Sequence, residues 1–317
     1  MRTRALPAAT PLLAAALAAL AACATGGDRP AARPATPALP PAAALDEPAT
    51  AEGHLPGIPL DGLLEAQRQL VARWAQETYC YCGCPHTVSQ CLRGHGGCHH
   101  AKRMARLAVR LAGTGASAAD LGRLITDYYA SFDPPKRARL DVAGFGPPLG
   151  DPAAAVQLVE FSDFTCPYCQ VFRPVLEKFV EDRPGRVKLV YKPFPIESHP
   201  GALEAAQAAE WGREQGIFWP LHDRLFGAPH ASLEVVGGWA RDLGKDPADL
   251  ESALASGRLL PRVRASQAEG RAAGMRGTPT LYLDGRRLAL PDLSEWMLEF
   301  TLQDEEEWRE HGGWTRD

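Results

Sequence analysis

Val156-Gln-Leu-Val-Glu160-Phe161-Ser-Asp-Phe-Thr-Cys166-Pro167-Tyr168-Cys169-Gln-Val171-Phe172-Arg-Pro-Val175-Leu176-Glu-Lys-Phe179-Val180 is the stretch that decides the fold. Its first six residues are rich in β-branched and aromatic types and predict a short strand. After Cys169, the apolar residues Val171, Phe172, Val175, Leu176, Phe179 and Val180 recur at helical spacing. The two cysteines therefore sit at a strand-to-helix junction, with Cys166 at the start of the helix. Unpaired N–H groups and the helix macrodipole favour an anion there. The Cys166 thiolate is expected to be stabilised, as cysteines in such motifs reach pKa values of about 3.5–7.5 instead of about 8.5. Pro167 suits the first helical turn, where its missing N–H has no partner to lose. Cys169, one turn deeper, is placed to attack a mixed disulfide at Cys166. A structural disulfide here would close too short a loop to stabilise the fold much. No second thiol pair in this half of the chain completes a metal tetrahedron, so thiol exchange is the reading that remains.

Further along, Arg186-Val-Lys-Leu-Val-Tyr-Lys192-Pro-Phe predicts a second strand. Helical patterns then run from Gly201 through Trp211 and on to about Ala273. Gly277-Thr278-Pro279-Thr280 turns into a third strand, Asp284-Gly285 reads as a hairpin, and a strand at Arg287 to Leu290 and a helix at Leu293 to Thr301 follow. Phe161 to Cys169, Val190-Tyr-Lys-Pro-Phe-Pro195, Phe218-Trp-Pro-Leu-His-Asp-Arg-Leu-Phe226 and Gly277 to Thr280, taken in order, resemble the DsbA family. The resemblance spans residues 150–305. It implies an α/β thioredoxin fold with a helical insertion, and thiol–disulfide oxidoreductase activity through Cys166 and Cys169.

That resemblance implies roles for further residues. Pro279 would be cis, packing against the active-site disulfide and exposing a backbone edge to substrate. Glu160 matches a buried acid beneath the family's active site, with Lys192 as its expected partner; the plainer alternative for both is a strand-end salt bridge. Tyr168 and Thr278 would tune the couple by hydrogen bonding near the sulfurs. The redox-active disulfide needs no cofactor. Substrates would be exported proteins, and a membrane redox partner would reset the couple. The family favours oxidation, whereas Tyr168 and Thr278 also occur in relatives that reduce or isomerise disulfides.

Residues 60–140 read as a separate all-α module. Leu63, Leu64, Gln67, Leu70, Val71 and Trp74 predict one helix ending near Thr78. Met104, Leu107, Ala108 and Leu111 predict another from about Ala101 to Leu111, and Leu121, Leu124, Ile125, Tyr128 and Phe132 a third. Ser117 and Asp120 form a capping pattern for the third, and Asp133-Pro134-Pro135 stops it. Between the first two helices lie Cys80, Cys82, Cys84, Cys91 and Cys98. Three readings stay open for them: structural disulfides, a metal site shared with some of His86, His95, His99 and His100, or a second redox pair serving Cys166 and Cys169. The usual Cys-x₂-Cys spacing of zinc sites is missing. Five is odd, so at least one thiol is free, metal-bound or paired between molecules. His99-His100 also reads simply as a polar helix start. From Cys80 to about Pro135 the pattern weakly resembles CcmH-type subunits of cytochrome c maturation, through the cysteines, Gly115-Ala-Ser117 and Tyr128 to Phe132. The family's Cys-x-x-Cys is replaced here by Cys80-Tyr-Cys-Gly-Cys84.

At the N-terminus, Arg2 and Arg4 precede the apolar run Pro11 to Leu20, too short and Ala-rich to span a membrane well. This is the layout of an export signal. Leu20-Ala-Ala-Cys23 resembles the lipobox of bacterial lipoproteins, which makes 1–22 a signal peptide and Cys23 the lipidated residue. Ala24 after the cysteine implies, through the same resemblance, passage to an outer membrane. Residues 23–59, dominated by Ala and Pro, read as a disordered tether with a reach of up to about 3.1 Å per residue. Residues 306–317 read as a C-terminal tail, and the acidic run Asp304 to Glu307 as a solvated helix face. A formal net charge of −4 offers no basic footprint for nucleic acid. Two other classes of function stay alive: a reductant or thiol carrier in cytochrome c assembly, and a metal-handling lipoprotein using the Cys/His cluster.

Overall fold

The computed structural model describes residues 50–94, 98–288, 292 and 294–314, all within one compact unit. The expected signal peptide 1–22, Cys23 and His95 lie outside the described residues. Among the described residues, no helix is long and apolar enough to cross a membrane.

The N-terminal half is all helix: α1 (Ala51–His54), α2 (Glu65–Glu77), α3 (Val88–Gly94), α4 (His99–Gly113) and α5 (Ala118–Ala130). Val71, Trp74, Met104, Leu107, Leu111, Leu121, Ile125 and Phe132 meet in one core, as their spacing predicts. Leu64 does not join them. It is the N-cap of α2 and stays exposed, while Leu63 turns inward. Ser117 caps α5 by accepting from the Asp120 N–H at 3.2 Å, and the Asp120 carboxylate answers the Ser117 N–H. Packing begins earlier than the expected tether boundary at residue 59. Ala51, Leu55 and Ile58 are buried in this core, although these few apolar residues have no periodicity that would betray it.

The second half is built on a four-stranded sheet. β1 (Val156–Ser162) leads into α6 (Pro167–Glu181) and then β2 (Val187–Pro193). Five helices follow as an insertion: α7 (Ala202–Glu214), α8 (Phe218–Gly227), α9 (Leu233–Asp242), α10 (Pro247–Ser256) and α11 (Leu260–Ala272). β3 (Thr280–Leu283), β4 (Arg286–Arg287) and α12 (Glu295–His311) close the chain. The strand order is β2-β1-β3-β4, with β1 parallel to β2 and antiparallel to β3. Side chains alternate across a strand. Val156 and Leu158 of β1 therefore join Leu176, Phe179, Leu298 and Leu302 from α6 and α12 on one face. Val159 and Phe161 meet Phe194, Tyr282 and Phe145 on the other.

Two expectations fail at α12. It runs on to His311, so much of the expected tail 306–317 is helix, and Trp308 and Trp314 pack on Phe132. The acidic run is not a solvated face: Asp304 and Glu305 are fully buried. Asp304 pairs with Arg103 and accepts from Tyr128 Oη at 2.5 Å. Glu305 accepts from Arg137 at 2.5 Å and Arg286 at 3.0 Å. Buried carboxylates are costly unless paired, and here the partners come from α4, α5, the segment after α5 and β4. The run that looks like surface from composition is the seam between the helical half and the sheet.

Candidate active site

Cys166 is the N-cap of α6 and Pro167 its first residue, as the strand–cysteine–helix pattern predicts. Asp163 sets the approach. Its buried carboxylate accepts from the Thr165 N–H and hydroxyl, both at 2.8 Å, and from the Ile196 N–H at 2.9 Å. His199 Nδ1 lies 2.8 Å from the same group. Asp163 and His199 thus tie the loop before Cys166 to the segment after β2. Sequence reasoning missed both. Asp163 was visible only as a polar residue between strand and cysteine, and His199, far along the chain, carries no local signal.

The opposite wall comes from the turn before β3. The Thr278–Pro279 peptide is cis. The carbonyl of Thr278 lies 3.4 Å from Cys166 Sγ, so a turn 112 residues away reaches the first sulfur. Of the two cysteines, Cys169 is fully buried and Cys166 keeps the residual exposure. Tyr168 and Val171 stand beside them largely exposed.

The two thiols are driven apart in acidity. Cys166 is lowered to about 5, first by the hydrogen bond from Cys169, then by Thr278 and the N–H groups of Cys169 and Tyr168, against the opposing effect of burial. Cys169 is pushed well up, first by burial, then by donating to Cys166, then by the charge of Glu160. Tyr168 therefore acts through its backbone N–H, while its ring faces solvent; the expected side-chain tuning falls to Thr278 instead.

Glu160 lies on the same face of β1 as Leu158, under α6. Burial raises it to about 7, and Oε1 has no hydrogen-bond partner among the described residues. Lys192 is not its partner. The register sets Glu160 opposite Tyr191 and Lys192 opposite Phe161, so Glu160 and Lys192 point to opposite faces of the sheet. Lys192 pairs with Glu269 and sits 4.2 Å over the Phe145 ring. The site thus holds a nearly fully buried thiol of lowered pKa, a fully buried thiol of raised pKa behind it, and a buried carboxyl with no fixed counter-charge.

A family model described as Thioredoxin matches residues 144–300. That span contains the junction, the cis turn and the sheet that joins them. Residues 144–300 form a thioredoxin domain. The chain is 33% identical over 144 residues to part of the Na(+)/H(+) antiporter NhaA 3 of Salinispora tropica, covering 44% of this chain and 21% of that protein. Against the antiporter NhaA of Herminiimonas arsenicoxydans the figures are 34%, 44% and 22%. The chain thus spans about a fifth of the length of these curated relatives. Among solved structures, a thioredoxin-like oxidoreductase from Silicibacter pomeroyi is 27% identical, with 57% of this chain and 97% of that one covered at a TM-score of 0.46. BdbD from Bacillus subtilis is 23% identical, with 53% and 96% covered at a TM-score of 0.47. DsbA2 from Pseudomonas aeruginosa is 24% identical, with 52% and 95% covered at 0.42. None of these matches ties the cysteine-rich module, around Cys80 to Cys98, to CcmH-type subunits.

Proposed function

We propose that the thioredoxin domain is a thiol–disulfide oxidoreductase that oxidises thiols of exported proteins through Cys166 and Cys169. The observation that carries this reading is the placement of two neighbouring thiols, Cys166 at a helix start against the turn before β3 and Cys169 fully buried behind it, which lowers the pKa of the first and raises that of the second.

The chemistry follows from those two sulfurs. In the oxidised protein a substrate thiolate attacks Cys166, the Cys166–Cys169 bond breaks, and Cys169 leaves. Cys169 needs a proton, since its thiolate is disfavoured, and Glu160 is the buried group near enough in charge to influence it. A second substrate thiolate then attacks the substrate sulfur bound to Cys166. The substrate disulfide forms, two electrons stay with the protein, and Cys166 departs as a thiolate. A thiol of low pKa is a good leaving group, and its stable anion favours the reduced protein. This favours oxidation of substrate over reduction. The exposed Tyr168 and Val171 offer an apolar landing beside Cys166 for an unfolded chain.

The export-type N-terminus and Cys23 fit a lipoprotein held in the cell envelope facing the periplasm, with a membrane redox partner that reoxidises the pair. The decisive experiment mixes the oxidised full-length chain with a reduced two-cysteine peptide. Peptide oxidation should be lost in Cys166→Ser, and Cys169→Ala, mixed instead with the disulfide form of the peptide, should accumulate a mixed disulfide through Cys166. Undiminished oxidation by Cys166→Ser would overturn the reading.

A further inference from the structure

The five cysteines of the helical half are not needed for that chemistry, and they converge. Cys80 and Cys82 leave the end of α2, Cys91 rides on α3, and Cys98 is the N-cap of α4. The loop that gathers them is tied by the Cys80 N–H to the His86 carbonyl at 3.1 Å and the Val88 N–H to the Thr78 carbonyl at 2.8 Å. Gly83, at φ +79°, takes the left-handed turn between Cys82 and Cys84. The sulfurs of Cys80, Cys82, Cys91 and Cys98 all lie within 4.8 Å of one another, and all four residues are buried.

We propose that Cys80, Cys82, Cys91 and Cys98 form a tetrahedral four-thiolate site for zinc(II). At a zinc–sulfur distance of about 2.3 Å, the edge of a regular tetrahedron is about 3.8 Å. The two opposite edges here, Cys80 to Cys98 and Cys82 to Cys91, measure 3.7 and 3.9 Å. A framework of two disulfides needs only two separate pairs, whereas these four sulfurs share one centre. Soft thiolates in tetrahedral array select zinc over the oxygen-seeking divalent ions. The surroundings suit the anionic ligands: the Ala101 N–H donates to Cys98 Sγ at 3.4 Å, at the positive end of the fifteen-residue helix α4. Binding releases the four thiol protons and changes no oxidation state.

Cys84 is the odd thiol. It is less buried than the other four and lies 2.9 Å from Cys82 and 3.1 Å from Cys91, beside the tetrahedron. With His86 and Cys91 it forms a rival group of three, which shares Cys91 and supplies one ligand fewer. Among the described residues, the four-cysteine set is the one that supplies four ligands. Zinc there would clip the loop from Cys80 to Cys98 onto the bundle and withhold four thiols from oxidation by the neighbouring domain.

The test uses the full-length chain purified without chelator, with metal content measured directly and zinc replaced by cobalt(II). Stoichiometric zinc is expected, and the cobalt form should show the charge-transfer and ligand-field bands of tetrahedral four-thiolate coordination. Zinc should be lost in Cys80→Ser and Cys98→Ser and kept in Cys84→Ser and in the Cys166→Ser Cys169→Ser double variant. The cobalt spectrum of the unmutated chain decides the ligand set even where a serine variant fails to fold. Disulfides at Cys80–Cys98 and Cys82–Cys91 with no zinc uptake after reduction would overturn the site. So would zinc that departs with Cys84 and survives loss of Cys98.

Discussion

The carbonyl oxygen of Thr278 stands 3.4 Å from Cys166 Sγ. This contact joins the start of α6 to the turn before β3 and turns a common two-cysteine motif into a site with walls. The carbonyl accepts from a Cys166 thiol but has nothing to offer a thiolate. Stabilisation of the anion therefore rests on Cys169, the Thr278 hydroxyl and the N–H groups at the helix start.

Thr278→Val removes that hydroxyl and leaves the carbonyl and the backbone in place. The Thr278 hydroxyl is buried with no hydrogen-bond partner of its own among the described residues, so a Cys166 thiolate is the acceptor it would turn to, and hydrogen bonds to charged groups contribute about 1.5–3 kcal/mol. The titration midpoint of Cys166 should therefore rise by about one to two pH units, read by thiolate absorbance, with Thr278→Ser close to the unmutated protein. An unchanged midpoint in the valine variant would show that the hydroxyl plays no part.

Acidity at Cys166 makes the stability of the reduced protein depend on pH. Its folded value, about 5, lies below the ordinary 9.0. The stabilisation is thus fully present above about pH 9 and is lost as pH falls through about 5. The disulfide form has no such group. Melting temperatures of the two forms, measured from pH 4 to 9, should show the reduced form gaining on the oxidised one as pH rises through this window. A constant difference would mean that the thiol is not acidic.

Glu160 runs the other way. Its folded value, about 7, lies above the ordinary 4.5, so the protein is favoured below pH 4.5 and loses that advantage as pH rises through 7. The shift corresponds to about 3 kcal/mol. Glu160→Gln should match the parent near pH 4 in denaturant titrations and exceed it by up to that amount above pH 8. The same variant should slow the release of Cys169 in stopped-flow exchange. Equal stability at both pH values would place a counter-charge beside Glu160.

Arg286 is the pivot of the α12 seam: fully buried, 3.0 Å from Glu305 and 3.8 Å over the Phe132 ring. Removing one partner of a buried pair costs up to about 3–5 kcal/mol, and because Arg137 still neutralises Glu305 the lower end of that range applies here. Arg286→Met should lower unfolding stability by about that much in urea, with Glu305→Gln in the same chain recovering part of it. A loss under 1 kcal/mol would show the seam to be held by packing alone.

What was legible in the sequence was what local chemistry dictates. A strand pattern, two cysteines and a helical stripe within one short run placed Cys166 at a helix start, and the apolar spacing in the helical half set most of its core. Short apolar segments without a period, such as Ala51 to Ile58, carry no such signal. Alternation in β2 did separate Lys192 from Glu160, but only the strand register reveals it.

The amino-acid order alone determined which sulfur is exposed to a helix dipole, because that depends on neighbours a few positions apart. Tertiary structure decided everything that joins distant segments: Thr278 against Cys166, Lys192 with Glu269, Asp304 and Glu305 sealed between two halves, and four cysteines around one point. Burial sets the strength of a charge or a thiol. Burial belongs to the packed chain, and no residue carries it alone.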